Sequence, residues 1–542
     1  MKTNVKPLVA ILLSLVMIMS FSLAGCGSSD NGSDGKTFTV AVTQEIDSLN
    51  PLSAWLEVSH EALLLMYDPL VRYDKNLEPE PCLAESWEVS PDQLTWTFHL
   101  VKDVKWSDGE PFTSKDVKFT YEFYKENDSY LYSSYLSDMD NIKCPDDNTL
   151  VIVTKEPKAN MLMNTSPIVP EHIWKDVKDP YNWANEKPVG TGPYNFAQKE
   201  EGFLKLSKNP NYFGTKATVE NIVFALYENT DTAAQALMLG EIDGAISLSA
   251  PQIEQLKKED NISVIQQQVP GFSMLSINMS AADKGGNGNP LLRDKAVREA
   301  IEYCTDRGKI VDMIYGGAAL KGSTFINPDT TYAYKVPEQD LRNYNTKKAA
   351  AILEKAGYKD TNGDGIREDS NGKKLSFKLA AISDNTEEVK TGSMIASGCK
   401  DAGIEVKIVT MDSGALYDDV AAYNYDLYIT GWGADVDPSA IAAIFTSDEL
   451  GNLNDSGYSN TKYDNLFKKQ QTIMDEKKRV AMVQEMQKMV YDDVPYVIYA
   501  YDNYIQAIRT DRWTGFEQIP TSTGGYFINL TDLNYINLKP AK

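Results

Sequence analysis

The stretch from Leu375 to Pro438 restricts the fold more than any other part of the chain. Leu375, Phe377 and Leu379 alternate with other residues as in a strand, the spacing predicts a helix over 386–402 stopped by Gly403, and Ile404, Val406 and Ile408 alternate again. A second helix over 412–422 leads into a strand over 426–430. Strand, helix, strand, helix, strand at this spacing implies parallel neighbours joined by right-handed crossovers, so the fold class is α/β. Ligands of such sheets sit beyond the carboxyl ends of the strands. The segment Gly431-Trp432-Gly433-Ala434-Asp435-Val436-Asp437-Pro438 follows the last strand, and a site is expected there.

The amino terminus predicts where the chain works. Lys2 and Lys6 precede an apolar run over 8–24, and Leu23-Ala24-Gly25-Cys26 closes it, the form of an export signal over 1–25. An uncleaved anchor helix is the alternative, although the run is barely long enough to span and no cation cluster follows to hold it. Residues 26–36 are nearly all Gly, Ser, Asp and Asn, which bury no apolar surface and predict a flexible tether.

Residues 1–25 carry two cations and no anion, so the rest of the chain sets 51 Lys and Arg against 77 Asp and Glu, near −26. That balance argues against nucleic acid and against adhesion to anionic lipid, both of which need clustered cations. The length exceeds what one core serves, and two or three domains are expected. Cys82, Cys144, Cys304 and Cys399 stand too far apart for CxxC motifs and are expected as free thiols. His60, His99 and His172 form no HExxH, and neither GxSxG nor a GxxxxGK[ST] loop occurs. The chain is therefore not expected to be an enzyme; an exported hydrolase built from scattered carboxylates is the remote alternative.

Three passages carry a resemblance. Glu85-Ser86-Trp87, Trp96-Thr97-Phe98-His99-Leu100, and Val104-Lys105-Trp106-Ser107-Asp108-Gly109-Glu110-Pro111-Phe112-Thr113 followed by Asp116-Val117 resemble the signature segment of the family 5 solute-binding proteins, the extracytoplasmic receptors of oligopeptide, dipeptide and nickel ABC importers. Pro188-Val189-Gly190-Thr191-Gly192-Pro193-Tyr194 is similar to a second landmark of that family. Its Gly-x-Gly is expected to reverse the chain between lobes, because Pro193 removes an amide donor and the GxGxxG spacing is absent. Leu-Ala-Gly-Cys resembles the bacterial lipoprotein box, which implies a lipid on Cys26 and a place on the outer face of a membrane.

The resemblance implies a two-lobed periplasmic-binding-protein-like fold (type II, cluster C) with an extra inserted domain. It lays out a first lobe over 37–70, 188–275 and 508–542, an inserted small domain over 71–187, and a second lobe over 276–507. It implies a monomer that captures a peptide between its lobes and hands it to ABC permease subunits. In peptide-binding members the aspartate of the Gly-Trp-x-x-Asp turn accepts the ligand's α-ammonium group, and here that residue is Asp435. Trp432 would offer an apolar wall, with Gly433 and Ala434 completing the turn; a plain turn cap and lobe filler is the alternative. Glu45 and Ser48 in the first loop and Asn278 at a strand end correspond to cleft positions. Some oligopeptide binders carry an Arg before the Gly-Trp pair, but residues 425–430 hold no cation, so the grip on a ligand carboxylate is unassigned. Oligosaccharide is the second ligand class and nickel chelate the third.

Asp360, Asn362 and Asp364 place oxygens at alternate positions, Gly365 is sixth and Ile366 seventh, as in calcium loops. Asn371 stands where the bidentate Glu belongs. The loop is either a plain turn or a structural calcium site, and no other cofactor is expected.

Overall fold

The computed structural model describes residues 36–127, 132–136, 138–268, 271–281, 286–328, 330–433, 436–520, 523–528 and 530–541, with the side chains of 133 and 134 left aside. Cys26, the expected export signal over 1–25 and most of the expected tether over 26–36 lie outside the described residues. Among those described, no helix is long and apolar enough to cross a membrane.

Two sheets organise the molecule. The first runs in the order Ile262–Gln268, Asn503–Arg509, Gly244–Leu248, Thr37–Val42, Asn221–Leu226, Phe203–Lys208, Tyr194–Glu200. Thr37–Val42 is parallel to both of its neighbours. Phe38, Val40 and Val42 enter one core while Ala41 enters another on the opposite face, which is why the strand runs apolar without a break from Val40 to Val42.

The second sheet runs Leu320–Lys321, Tyr496–Tyr501, Phe272–Ile277, Leu427–Trp432, Ser376–Ile382, Glu405–Met411. Its last three strands are the parallel unit expected from the alternation, with Ser376 opposite Glu405 and Leu379 opposite Leu427. Helices Thr386–Asp401 and Ser413–Ala421 make the crossovers. Asn385 caps the first by accepting from the Glu388 amide, Asp412 caps the second through the Ala415 amide, and Gly403 follows the first at φ +85°. In Thr346–Lys355 the cap is Asn345, which accepts from the Lys348 amide.

The inserted region is a four-stranded antiparallel sheet in the order Ala84–Val89, Thr95–Leu100, Thr149–Thr154, Met139–Asp146, covered by helix Ser114–Glu126. Thr113 and Asp116 close a capping box on that helix. Val104-Lys105-Trp106 is extended and forms one arm of a short hairpin, bridged from Lys105 to Pro111, with the Phe112 amide donating to the Val104 carbonyl at 3.0 Å around a turn at 107–109. Trp96, Phe98 and Leu100 share one core with Phe38 and Val40, so this sheet is fused to the first lobe. The second lobe has cores of its own. Leu275, Ile277, Leu427 and Ile429 lie on one face of its sheet, Phe272 and Met274 on the other.

The chain passes between the two sheets twice, from Gln268 to Phe272 and from Tyr501 to Asn503. This corrects the expected boundaries: 275/276 falls inside Phe272–Ile277, which belongs wholly to the second sheet, and 507/508 falls inside Asn503–Arg509, which belongs wholly to the first. The Gly-x-Gly landmark also differs from expectation. It does not reverse the chain between lobes; it crosses the end of helix Glu57–Met66, where Gly192 donates its amide to the Met66 carbonyl at 2.9 Å and a Cβ on Gly190 would collide with that same oxygen.

Candidate ligand-binding cleft

The two crossings fix which end of each sheet faces the other. In the first sheet Gln268 pairs with Asn503 and Leu248 with Ile505, so this end carries the carboxyl termini of the parallel strands Gly244–Leu248 and Thr37–Val42. In the second sheet Phe272 pairs with Trp432 and Ser273 with Ala500, so its facing end carries Phe272, Trp432 and Tyr501. The Gly-Trp turn therefore leaves its strand toward the carboxyl ends of the first lobe's strands, where α/β sheets hold ligands.

Trp432 is half-buried and packs against the core of Phe272 and Met274. Gly433 is exposed, with open space where a Cβ would stand. Ala434 and Asp435 lie outside the described residues. Asp437, the second acid of the turn, is buried, accepts the Ser439 amide and pairs with Arg479 at 2.6 Å. Glu45 is exposed and lines a narrow crevice with Ile46, Lys199, Phe203 and Leu226. Ser48 ties its own loop, contacting the Ser53 hydroxyl at 2.9 Å and accepting the Asn50 amide.

Asn278 is a correction. It does follow the strand expected to line the cleft, but Phe272–Ile277 is antiparallel to Leu427–Trp432, so Asn278 stands beyond the Leu427 end while the turn lies at the Trp432 end. Five residues of strand separate the two ends, roughly 16 Å. Its amide donates to the Tyr423 and Tyr425 carbonyls at 2.8 and 2.6 Å, its oxygen accepts from Ser280, and nothing of it is exposed. Asn278 closes a buried turn.

Other groups stand at the cleft end. Asp502 lies in the second crossing and accepts from the Ser273 hydroxyl at 2.9 Å; burial raises the pKa of its carboxyl. Tyr504 donates to Glu57, the first residue of helix Glu57–Met66. Trp55, just before that helix, is 65% exposed, which is unusual for tryptophan. No local motif marks these residues: Glu57 and Tyr504 meet only because distant strands join one sheet.

The 360–371 loop is ordered by its own amides. Asp360 accepts from Gly363 and Gly365, Asp364 accepts from Ile366 and pairs with Lys374, and buried Glu368 accepts from Thr361 and from Asn362. Oxygens of Asp360, Asp364 and Glu368 lie within 4.8 Å of one another, close enough to share a cation. Glu368, not Asn371, supplies the third acid; Asn371 donates its amide to Asp369.

Residues 78–452 match the model of the bacterial extracellular solute-binding proteins, family 5 Middle. The chain belongs to this family. Over 521 residues it is 26% identical to the oligopeptide-binding protein AppA of Bacillus subtilis (strain 168), covering 91% of this chain and 93% of that protein. Its fold is similar to that of NikZ from Campylobacter jejuni in complex with Ni(L-His), with a TM-score of 0.76, 24% identity, and coverage of 93% and 99% of the two chains. It is also similar to a periplasmic oligopeptide-binding protein from Thermotoga maritima bound to mannohexaose, with a TM-score of 0.74, 24% identity, and coverage of 94% and 99%. Those two structures hold a nickel complex and a sugar in one fold, so the fold does not choose the ligand.

Proposed function

We propose that this family 5 protein is the lipid-anchored receptor of an ABC importer, acting as a monomer tethered through Cys26, and that it takes peptides between its lobes and hands them to the membrane permease. The observation that carries this reading is the convergence of the Gly-Trp turn with acceptor groups at the facing ends of the two sheets, Asp502 and Glu57 among them. Carboxylates and carbonyls suit a ligand rich in N–H donors with a terminal ammonium. Asp435 takes that ammonium, a charge-assisted hydrogen bond contributing about 1.5–3 kcal/mol. Contacts made only when the lobes meet shift the open and closed populations, and the permease reads the closed form. AppA, named as an oligopeptide-binding protein, supports the peptide class.

Native mass spectrometry of gently purified protein tests the ligand class. Adducts that fragment into amino acids support the reading. Adducts spaced by hexose units favour oligosaccharide instead, the second reading, for which exposed Trp55 and half-buried Trp432 are the stacking candidates. The 360–368 loop reads best as a turn, with structural calcium as its alternative: an unchanged melting curve in EDTA supports the turn, and a lowered midpoint supports calcium.

A further inference from the structure

The two lobes also touch away from the covalent crossings. Lys158, Ala159 and Asn160 follow strand Thr149–Thr154 and run into Met161, which is buried in the first-lobe core. Across the interface stand the end of helix Thr461–Thr472 and the Asp437–Arg479 pair of the second lobe. The Ala159 amide donates to the Gln471 carbonyl at 2.9 Å, and the Asn160 side-chain amide donates to Asp437 at 3.4 Å. Met474, from the second lobe, packs against the first-lobe core.

One contact meets a need that the second lobe leaves open. Gln471 is in the last turn of its helix, where carbonyls have no intrahelical donor, and the other lobe supplies one. Lys158, beside Ala159, brings positive charge to that negative helix end. It is 4% exposed, lies 3.6 Å from Asp138, and feels Asp437 as attraction and Arg479 as repulsion. Arg479 is held by Asp437, by the Ser439 hydroxyl at 3.1 Å, by the Gln470 oxygen at 3.0 Å and by the Tyr332 hydroxyl at 3.1 Å, so the second-lobe half of the contact is built in advance.

We propose that Lys158 and Asn160 are positioning residues for capture: with Asp437 and the 471–474 turn they form a clasp that sets how much of the protein is closed. The proposal rests on the receptor reading and adds to it. Asp437 comes two residues after Asp435, so the clasp stands beside the residue proposed to hold the ligand. Asn160 and Lys158 act through the population of the closed form.

The test is the distribution of distances between spin labels on the two lobes of the full chain, stripped of co-purified ligand. In Lys158→Met with Asn160→Ala the distribution shifts to wider separations, and affinity for the co-purified ligand falls by about three- to tenfold with faster release. A second variant guards against a folding defect. Ala159→Cys with Gln471→Cys, whose backbones are hydrogen-bonded, crosslinks on oxidation and holds the narrow distribution without ligand. Unchanged distances in the first variant, or failure of the second pair to crosslink on oxidation, overturns the clasp. Because the distances are read without ligand, a protein that binds no peptide at all still tests the clasp separately from the ligand class.

Discussion

Asp437 and Asp455 are both buried acids of the second lobe, and they are held in opposite ways. Asp437 pairs with Arg479 at 2.6 Å, with each side chain at most 3% exposed. Asp455 has hydroxyl donors instead: Tyr428, Tyr496 and Ser276 donate to its carboxylate, and Tyr425 donates to its backbone carbonyl at 2.6 Å. Ser276 lies opposite both Tyr428 and Tyr496, so one row of side chains across three strands builds this cradle. Burial lifts the Asp455 carboxyl to a pKa of about 6. The ion pair commits Asp437 to one cation at the surface where the lobes meet. The cradle pins the 455 segment under its own sheet and leaves the charge there sensitive to pH.

Breaking the ion pair has the largest expected effect. Arg479→Met leaves Asp437 buried without its cation and should cost about 3–5 kcal/mol in urea unfolding. Next comes the pH response of Asp455. A carboxyl whose folded pKa is raised binds its proton more tightly when folded, so its contribution is complete below about pH 4 and is lost as pH climbs through 6. For a pKa of about 6 the loss is about 3 kcal/mol. Burial also raises Glu61 to about 7 and Asp532 to about 6, so the protein should weaken from pH 4 to 8, and Asp455→Asn should flatten that fall by its own share. An unchanged slope in Asp455→Asn refutes the assignment.

Asn278 and Trp432 extend the contrast to neutral groups at the two ends of one strand pair. Asn278→Ala strands two buried carbonyls and should cost about 1–3 kcal/mol of stability while leaving ligand affinity untouched. Trp432→Ala should do the reverse, lowering affinity about tenfold, near 1.4 kcal/mol, in calorimetric titration. Equal affinity losses in both variants would remove the distinction between the two ends.

Periodicity in the sequence reveals elements and conceals partners. The parallel unit from Ser376 to Trp432 was legible because alternating strands and capped helices at that spacing admit one topology. The switch between sheets at 268–272 and 501–503 was not, since a strand entering a new sheet alternates like any other. The same limit misplaced Asn278: the strand before it was readable, but its antiparallel register against Leu427–Trp432 decides which end faces the cleft. The Asp455 cradle, the Glu57–Tyr504 contact and the clasp at Lys158 join residues distant in sequence, so they emerge only from packing. Glu368 escaped for a smaller reason: the loop closes on the ninth residue, not the twelfth.

The central claim is that two lobes close on a bound peptide. Small-angle scattering of the full chain, with and without the peptide found by native mass spectrometry, tests it most directly. The account predicts a smaller radius of gyration when the protein is saturated, returning to the larger value as the peptide is removed. Identical scattering curves in the two states, with binding verified in the same samples, would contradict it.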